Sequence, residues 1–304
     1  MISYEPLNEH LKAERLTKTA LAEELGISSR TIAKIAKGEK LSRKTLEKIA
    51  ARLDCDVSNL YQEVSDNAIL QILRDEKDAG ISGGLYHELQ VRMTYNSNHI
   101  EGSRLTEAQT RMIFETDTVP AGDGVLVDDV LETIHHFRAI DYVIDTAETP
   151  LTEEIIKRLH YILKHDTKDA RLPWFAVGDY KKRANLVGGR ETTKPENVPG
   201  RMKALLEIYN ARERVTLQDV IEFHANFEHI HPFQDGNGRV GRLIALKECL
   251  HHNIVPFIIA DAKKYFYYQG LNEWPKEKER LVDTCLDGQD TFRRLLDMLG
   301  IGHK

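Results

Sequence analysis

An all-α protein with one small β-hairpin, preceded by a separate N-terminal unit of five short helices, is the fold class that this 304-residue sequence predicts. Three observations carry it. Apolar residues recur at helical spacing on both sides of a glycine-rich turn: Val220, Ile221, Phe223, Phe227 and Ile230 before it, Val240, Leu243, Ile244, Leu246 and Leu250 after it. The first 62 residues carry a denser helical pattern, from Leu7 to Leu60, punctuated by Thr17, Gly26, Ser28, Gly38 and Ser42, residue types that cap helices or make turns. Residues 174–189 hold β-branched and aromatic runs broken by Gly and Asp, which is hairpin chemistry.

Within the N-terminal unit, residues 1–62, the apolar set is Leu7, Leu11, Leu16, Leu21, Leu25, Ile27, Ile32, Ile35, Leu41, Leu46, Ile49, Leu53, Val57 and Leu60. Residues 16–35 resemble the helix-turn-helix of Cro/repressor-like proteins, with Gly26 in the turn and Ser28 opening the second helix. That resemblance implies that Arg30 and Lys34 face a major groove, with Ser29 and Thr31 reaching phosphates or base edges of double-stranded DNA. Charge is compatible: 11 Lys and Arg stand against 9 Asp and Glu in the unit, but 7 against 2 over residues 28–48. Phosphate neutralisation dominates DNA affinity, so one module this small binds weakly alone and a homodimer is an open expectation. A helix-turn-helix used only for protein contacts is the alternative.

Residues 63–84 read as a connector, a stretch with helical spacing at Ile69, Leu70, Ile72 and Leu73 that ends in Ser82-Gly83-Gly84. A further unit follows over residues 85–304. It opens with a helix over about 88–102, on which Ser97 and Glu101 share a face at i,i+4 and Gly102 ends the helix. Residues 120–124, Pro-Ala-Gly-Asp-Gly, form an internal excursion, and Thr152 caps a helix running through His160, itself a packing residue.

Residues 231–242, His-Pro-Phe-Gln-Asp-Gly-Asn-Gly-Arg-Val-Gly-Arg, concentrate the chemistry. Free N–H groups at a helix start attract anions, and Gly236 and Gly238 let the main chain close on phosphate oxygens without Cβ interference. Gly236-Asn237-Gly238 therefore reads as an anion cradle. Arg239 and Arg242 stand one turn apart, where both face the same ligand. Asp235 supplies a hard oxygen suited to Mg²⁺, which takes one or two protein carboxylates and completes its shell with phosphates and water. His231, near neutral pKa, can take a proton from a hydroxyl, and Pro232 and Phe233 fix the turn that aims it. His229 and His231 also make a His-x-His pair, but no further His or Cys pair stands at zinc-finger spacing.

This string is identified as the signature of the Fic family, His-x-Phe-x-(Asp/Glu)-Gly-Asn-Gly-Arg-x-x-Arg, matched at every position. The resemblance implies a Fic helical core with a β-hairpin flap and transfer of AMP from Mg-ATP to a Ser, Thr or Tyr hydroxyl of a target protein. His231 would be the base, Asp235 the metal carboxylate, and Asn237, Gly238 and Arg239 the surroundings of the α- and β-phosphates. A branch of the family that transfers phosphate carries Lys where this chain has Gly238, which argues for nucleotidyl transfer. Residues 174–189 resemble the flap on which a target peptide lies by strand addition. Ser97-x-x-x-Glu101-Gly102 matches the family's inhibitory motif, which implies that Glu101 pairs with Arg242 and takes the place of the γ-phosphate. Tyr268, in the run Tyr265 to Leu271, either walls the adenine or belongs to the core.

The remaining numbers bound the class. A net charge of −6, with 41% hydrophobic and 30% charged residues, suits a two-domain globular chain. No stretch approaches membrane-spanning length and no signal-peptide pattern follows Met1, so no membrane partner and a cytoplasmic location are expected. Cys55, Cys249 and Cys285 are odd in number and widely spaced, which speaks for reduced thiols. Two other functions fit the same residues: removal of AMP with Glu101 orienting a water, and a DNA-binding regulator in which the Fic core senses nucleotide.

Overall fold

The computed structural model describes residues 2–36, 39–63, 67–119 and 124–302. The turn expected at Gly38, most of the excursion at 120–124 and the side chain of Ser29 lie outside the described residues. The chain divides into two units, Met1–Asp66 and Asn67–Lys304.

In the first unit the expected caps act where the sequence puts them. After α1 (Glu5–Ala13), Thr17 accepts from the Ala20 N–H at the head of α2 (Lys18–Leu25), and Gly26 at φ 64° ends that helix. The Ser28 hydroxyl accepts from the Thr31 N–H as α3 (Ser29–Ala36) starts, and Ser42 caps α4 (Arg43–Arg52). All fourteen apolar residues of the predicted pattern join one cluster, together with Tyr4, whose hydroxyl donates to the Glu39 carbonyl and accepts from the Leu41 N–H. Two details differ from expectation. The fifth helix is only a 3-10 turn, Val57–Asn59, and a two-residue ribbon pairs β1 (Ile2–Ser3) with β2 (Gln62–Glu63). A ribbon this short has too few residues for an alternating pattern to show.

The second unit begins earlier than the expected connector allows. Helix α5 (Ala68–Ala79) is capped by Asn67 and buries Ile69, Leu70 and Leu73 in the main core, so residues 67–79 belong to the domain, and Gly80 at φ 63° ends the helix. The order continues α6 (Leu85–Ile100), α7 (Glu107–Thr116), α8 (Val127–Asp145) and α9 (Glu153–Lys164), the last capped by Thr152 as predicted. The hairpin is smaller and later than residues 174–189: β3 (Leu186–Val187) pairs with β4 (Arg190–Glu191), and residues 174–185 are turns and irregular chain. Then come α10 (Val198–Asn210), α11 (Leu217–Ile230), α12 (Asn237–His251), α13 (Lys264–Glu273) and α14 (Lys278–Met298).

Helix α12 is the axis of this unit. Every residue from Arg239 to Leu250 is buried, against α6, α8, α9 and α11, which is why its sequence shows little amphipathic contrast. Its polar residues are consequently paired: Lys247 donates to the Thr149 carbonyl and to Glu248. Cys55, Cys249 and Cys285 are free thiols. Among the described residues no helix is long and apolar enough to cross a membrane.

Candidate active site

The loop from His231 to Gly236 joins α11 to the head of α12, and its shape is fixed from four sides. His231 ends α11 in the left-handed region at φ 52°, donating its N–H to Phe227. Asn237 bonds both ends of its amide to the backbone of Phe233, at 2.8 Å and 2.9 Å. His160 stacks on the Phe233 ring at 4.0 Å, accepts from the Gly178 N–H through Nδ1 and donates to the Asp235 carbonyl through Nε2. Burial and the Lys164 charge push His160 down to about 3, so it works as a neutral strut. From the hairpin side, the Lys181 N–H donates to the Pro232 carbonyl, while Lys181 Nζ binds Asn185 at 2.8 Å and Thr192 at 2.6 Å. Burial lowers that ammonium to about 8.

Gly236 sits at φ 80°, a conformation that side chains strain, and it frees the first N–H groups of α12 to point out of the loop. His231 lies beside this helix start. Burial, then the nearby Lys181 charge, lower its imidazole to about 4, so the ring is neutral and proton-accepting at neutral pH. Asp235 has its side chain about half exposed at the rim of the loop. Burial on its inner side would lift the carboxyl, but Arg239 and Lys164 overcome that and hold it well below the usual carboxylate range.

The two signature arginines do not grip the same anion. Arg239 lies 2.6 Å from Glu132 and 3.3 Å from Asp235. Arg242 turns the other way: Nε donates to the Ser97 hydroxyl at 3.0 Å, and NH2 donates to the Ser97 carbonyl at 2.9 Å and to Glu101 at 2.7 Å. An i,i+3 offset puts two long side chains near one another, but each settled on the carboxylate that its own neighbouring helix presents. Glu101 caps α6, Gly102 follows at φ 101°, and the carboxylate lies over the cradle: a Cβ at Gly238 would come within 2.1 Å of Glu101 Oε1.

Several residues here were not legible in sequence. Lys164, 1% exposed, donates to Glu132, Asp169 and Asp235 at 2.8, 2.9 and 2.7 Å. Tyr267 is fully buried with its hydroxyl against His224 at 2.7 Å and Arg242 at 3.4 Å, whereas Tyr268 donates to the Ile100 carbonyl at the end of α6. The single available signal was helical spacing, since Lys164 stands one turn beyond His160. Asn237, expected around the phosphates, has its side chain committed to Phe233, which leaves its backbone N–H for the cradle.

Residues 150–249 match the Fic/DOC family. The chain carries a Fic domain. Residues 6–64, within the first unit, match a Cro/C1-type HTH DNA-binding domain, and the Fic match lies within the second unit. Two relatives are named Protein adenylyltransferase Fic: one from Nematostella vectensis, 29% identical over 194 residues, and one from Drosophila melanogaster, 30% identical over 188. The alignments take in 61% and 60% of this chain but only 43% and 37% of those proteins. Thus the chain spans less than half the length of the curated relatives it matches. Among solved structures, a Fic domain containing signaling protein from Bacteroides thetaiotaomicron superposes with TM-score 0.61 at 22% identity over 77% of this chain and 97% of its own. Fic-1 from C. elegans does so with TM-score 0.61 at 19% identity over 96% and 92%. At these identities the two structures show the shared fold. The Fic domain here thus presents a neutral histidine, a rim carboxylate and a helix start with an arginine on either side.

Proposed function

We propose that this chain is a self-inhibited protein adenylyltransferase, transferring AMP from Mg-ATP to a hydroxyl of a target protein or of itself. The observation that carries this reading is the disposition of the loop: a neutral His231 and an ionised Asp235 flank a glycine-lined helix start that is built to receive phosphate. The target hydroxyl gives its proton to the His231 imidazole as its oxygen attacks the α-phosphorus. The bond from that phosphorus to the β-phosphate oxygen breaks, and pyrophosphate leaves towards the arginines. Positioning and charge neutralisation do most of this work.

The donor set suits Mg²⁺. Asp235 offers one hard, ionised, half-exposed oxygen donor group, and among the described residues no cluster of three or more His, Cys, Asp or Glu is arranged to hold a metal alone. Substrate phosphates would complete the shell, and the ion would supply charge neutralisation there. The deciding experiment compares labels: α-phosphate label from ATP should become protein-bound in a His231-dependent way, and γ-phosphate label should not. Incorporation of the γ-phosphate label without the α-phosphate label would mean phosphoryl transfer instead.

The acid limb of the rate follows from His231. With its pKa lowered to about 4, the basic form persists through pH 5, so kcat/KM should stay level from about pH 5.5 to 7.5 and fall only as pH approaches about 4. A limb centred near the ordinary imidazole value would mean that another group is the base.

The N-terminal domain supports DNA binding as a regulatory function. On α3 the Arg30 side chain is exposed, and Lys34 is half-buried with its ammonium 4.0 Å from Glu39. The full-length chain should bind duplex DNA from its own promoter region with a steep salt dependence. Substituting both Arg30 and Lys34 by alanine should reduce the salt slope by about two. Salt-insensitive behaviour at every promoter duplex tried would leave the domain to protein contacts.

A further inference from the structure

Lys164 helps keep Asp235 ionised but takes no step in the reaction above, yet it is the most confined cation beside the loop. Its stem runs under Gly236, where an added Cβ would touch it at 3.6 Å, and its ammonium spends all three N–H groups on carboxylates. Those three acids come from different segments: Glu132 from α8, Asp169 from the turn after α9, and Asp235 from the signature loop. Lys164 and Arg239 bond the same oxygen of Asp235, Oδ2, at 2.7 Å and 3.3 Å. Oδ1 is the oxygen that neither cation takes.

We propose that Lys164 is a positioning residue for the cation site: it pins Asp235 through Oδ2, presents Oδ1 alone to a divalent ion, and holds down the affinity of that site. The reasoning is charge and geometry. Three carboxylates face two cations, Lys164 and Arg239, so the cluster carries one net negative charge and attracts a divalent ion weakly until phosphates arrive. Removing the ammonium leaves two net negative charges within a few ångströms of Asp235, where the charges are close enough to matter even beside a half-exposed carboxylate. A site that bound the ion tightly without nucleotide would hold pyrophosphate after transfer, and Lys164 prevents that by occupying half of the carboxylate.

This inference rests on Asp235 being the metal carboxylate, so its test is chosen to stand apart from AMP transfer. Mn²⁺ is titrated into the full-length protein without nucleotide, followed by the loss of free-ion EPR signal. In parallel, the Mg²⁺ concentration that half-saturates the ATP-induced rise in melting temperature is measured. Lys164→Met should tighten both by at least about tenfold, because a full charge is lost at contact distance. Lys164→Arg, which keeps the charge, should stay within about threefold of the wild type. Asp169→Asn should shift both measurements the opposite way, weakening the ion by about threefold, since one carboxylate that competes for the ammonium is gone. Unchanged or weaker ion binding by a folded Lys164→Met protein overturns the proposal. If that variant does not fold, Asp169→Asn decides: weaker binding supports the proposal, and equal or tighter binding overturns it. Absence of AMP transfer from both the wild type and Glu101→Gly would sink the proposed activity while leaving these titrations interpretable.

Discussion

Glu101→Gly is expected to raise AMP transfer, including self-modification, by at least about tenfold, because it removes a carboxylate that lies 2.7 Å from Arg242 and over the phosphate cradle. The change has a stability side. Arg242 is 4% exposed, and losing a charged partner from a buried group costs about 1–3 kcal/mol. The lower end applies, since Glu101 is partly exposed and Arg242 keeps both Ser97 contacts and the Tyr267 hydroxyl. ATP should restore what is lost, because its γ-phosphate replaces the missing anion, and ligand that binds only the native state stabilises it by mass action. The variant should therefore start with a lower melting temperature and gain more from Mg-ATP than the wild type does. Arg242→Ala should not reproduce the activation, as it removes the anchor of the brake and a phosphate ligand together. Equal transfer rates and equal ATP-induced shifts in Glu101→Gly and wild type would reduce the segment from Ser97 to Gly102 to an ordinary helix end.

The loss of His231 has the other large effect. Removing a general base costs about 10²–10⁴-fold in rate, so transfer by His231→Ala should fall below detection while ATP affinity changes little, the cradle being backbone and arginine. Alanine is also strained at this position: His231 sits at φ 52°, and a residue that avoids the left-handed region pays about 1 kcal/mol there. His231→Asn separates the two effects, because asparagine accepts that backbone conformation and has no basic nitrogen. Both variants should be inactive, with His231→Asn the more stable. Asp235→Ala should lose transfer as well, but with weakened metal-dependent ATP binding. Substantial transfer by His231→Asn would remove this histidine from the mechanism.

Lys181 makes a subtler test of how the hairpin serves the loop. Its Nζ ties Asn185 to Thr192, while its backbone N–H, which any substitution keeps, holds the Pro232 carbonyl, so Lys181→Met should lower transfer to a target protein more than it lowers ATP binding. Equal losses in both would mark Lys181 as part of the nucleotide site.

What the sequence by itself determined is mostly local: helix caps, the continuous signature loop, and the apolar pattern of the first domain. The caps at Thr17, Ser42 and Thr152 each hold an N–H three residues on, and the cradle from His231 to Arg242 is one continuous loop and helix start. The amphipathic pattern of the first domain likewise closed into one core without exception. Interactions of this range depend on residue type and spacing, both of which a sequence displays. Tertiary structure decided where the buried charges went. Arg239 chose Glu132, 107 positions away from it in the numbering, and Lys164 reached Asp235 across 71 positions. Arg242 met α6 across a separation of 141. Asn237 turned inward to Phe233, and Tyr267 rather than Tyr268 met Arg242, since a one-residue step along a helix rotates a side chain by about 100°. A buried charge must find a partner, and several carboxylates in this chain would serve. Which one it finds is set by helix packing, because only the packed core brings a particular carboxylate within about 3 Å and excludes the water that would otherwise satisfy it.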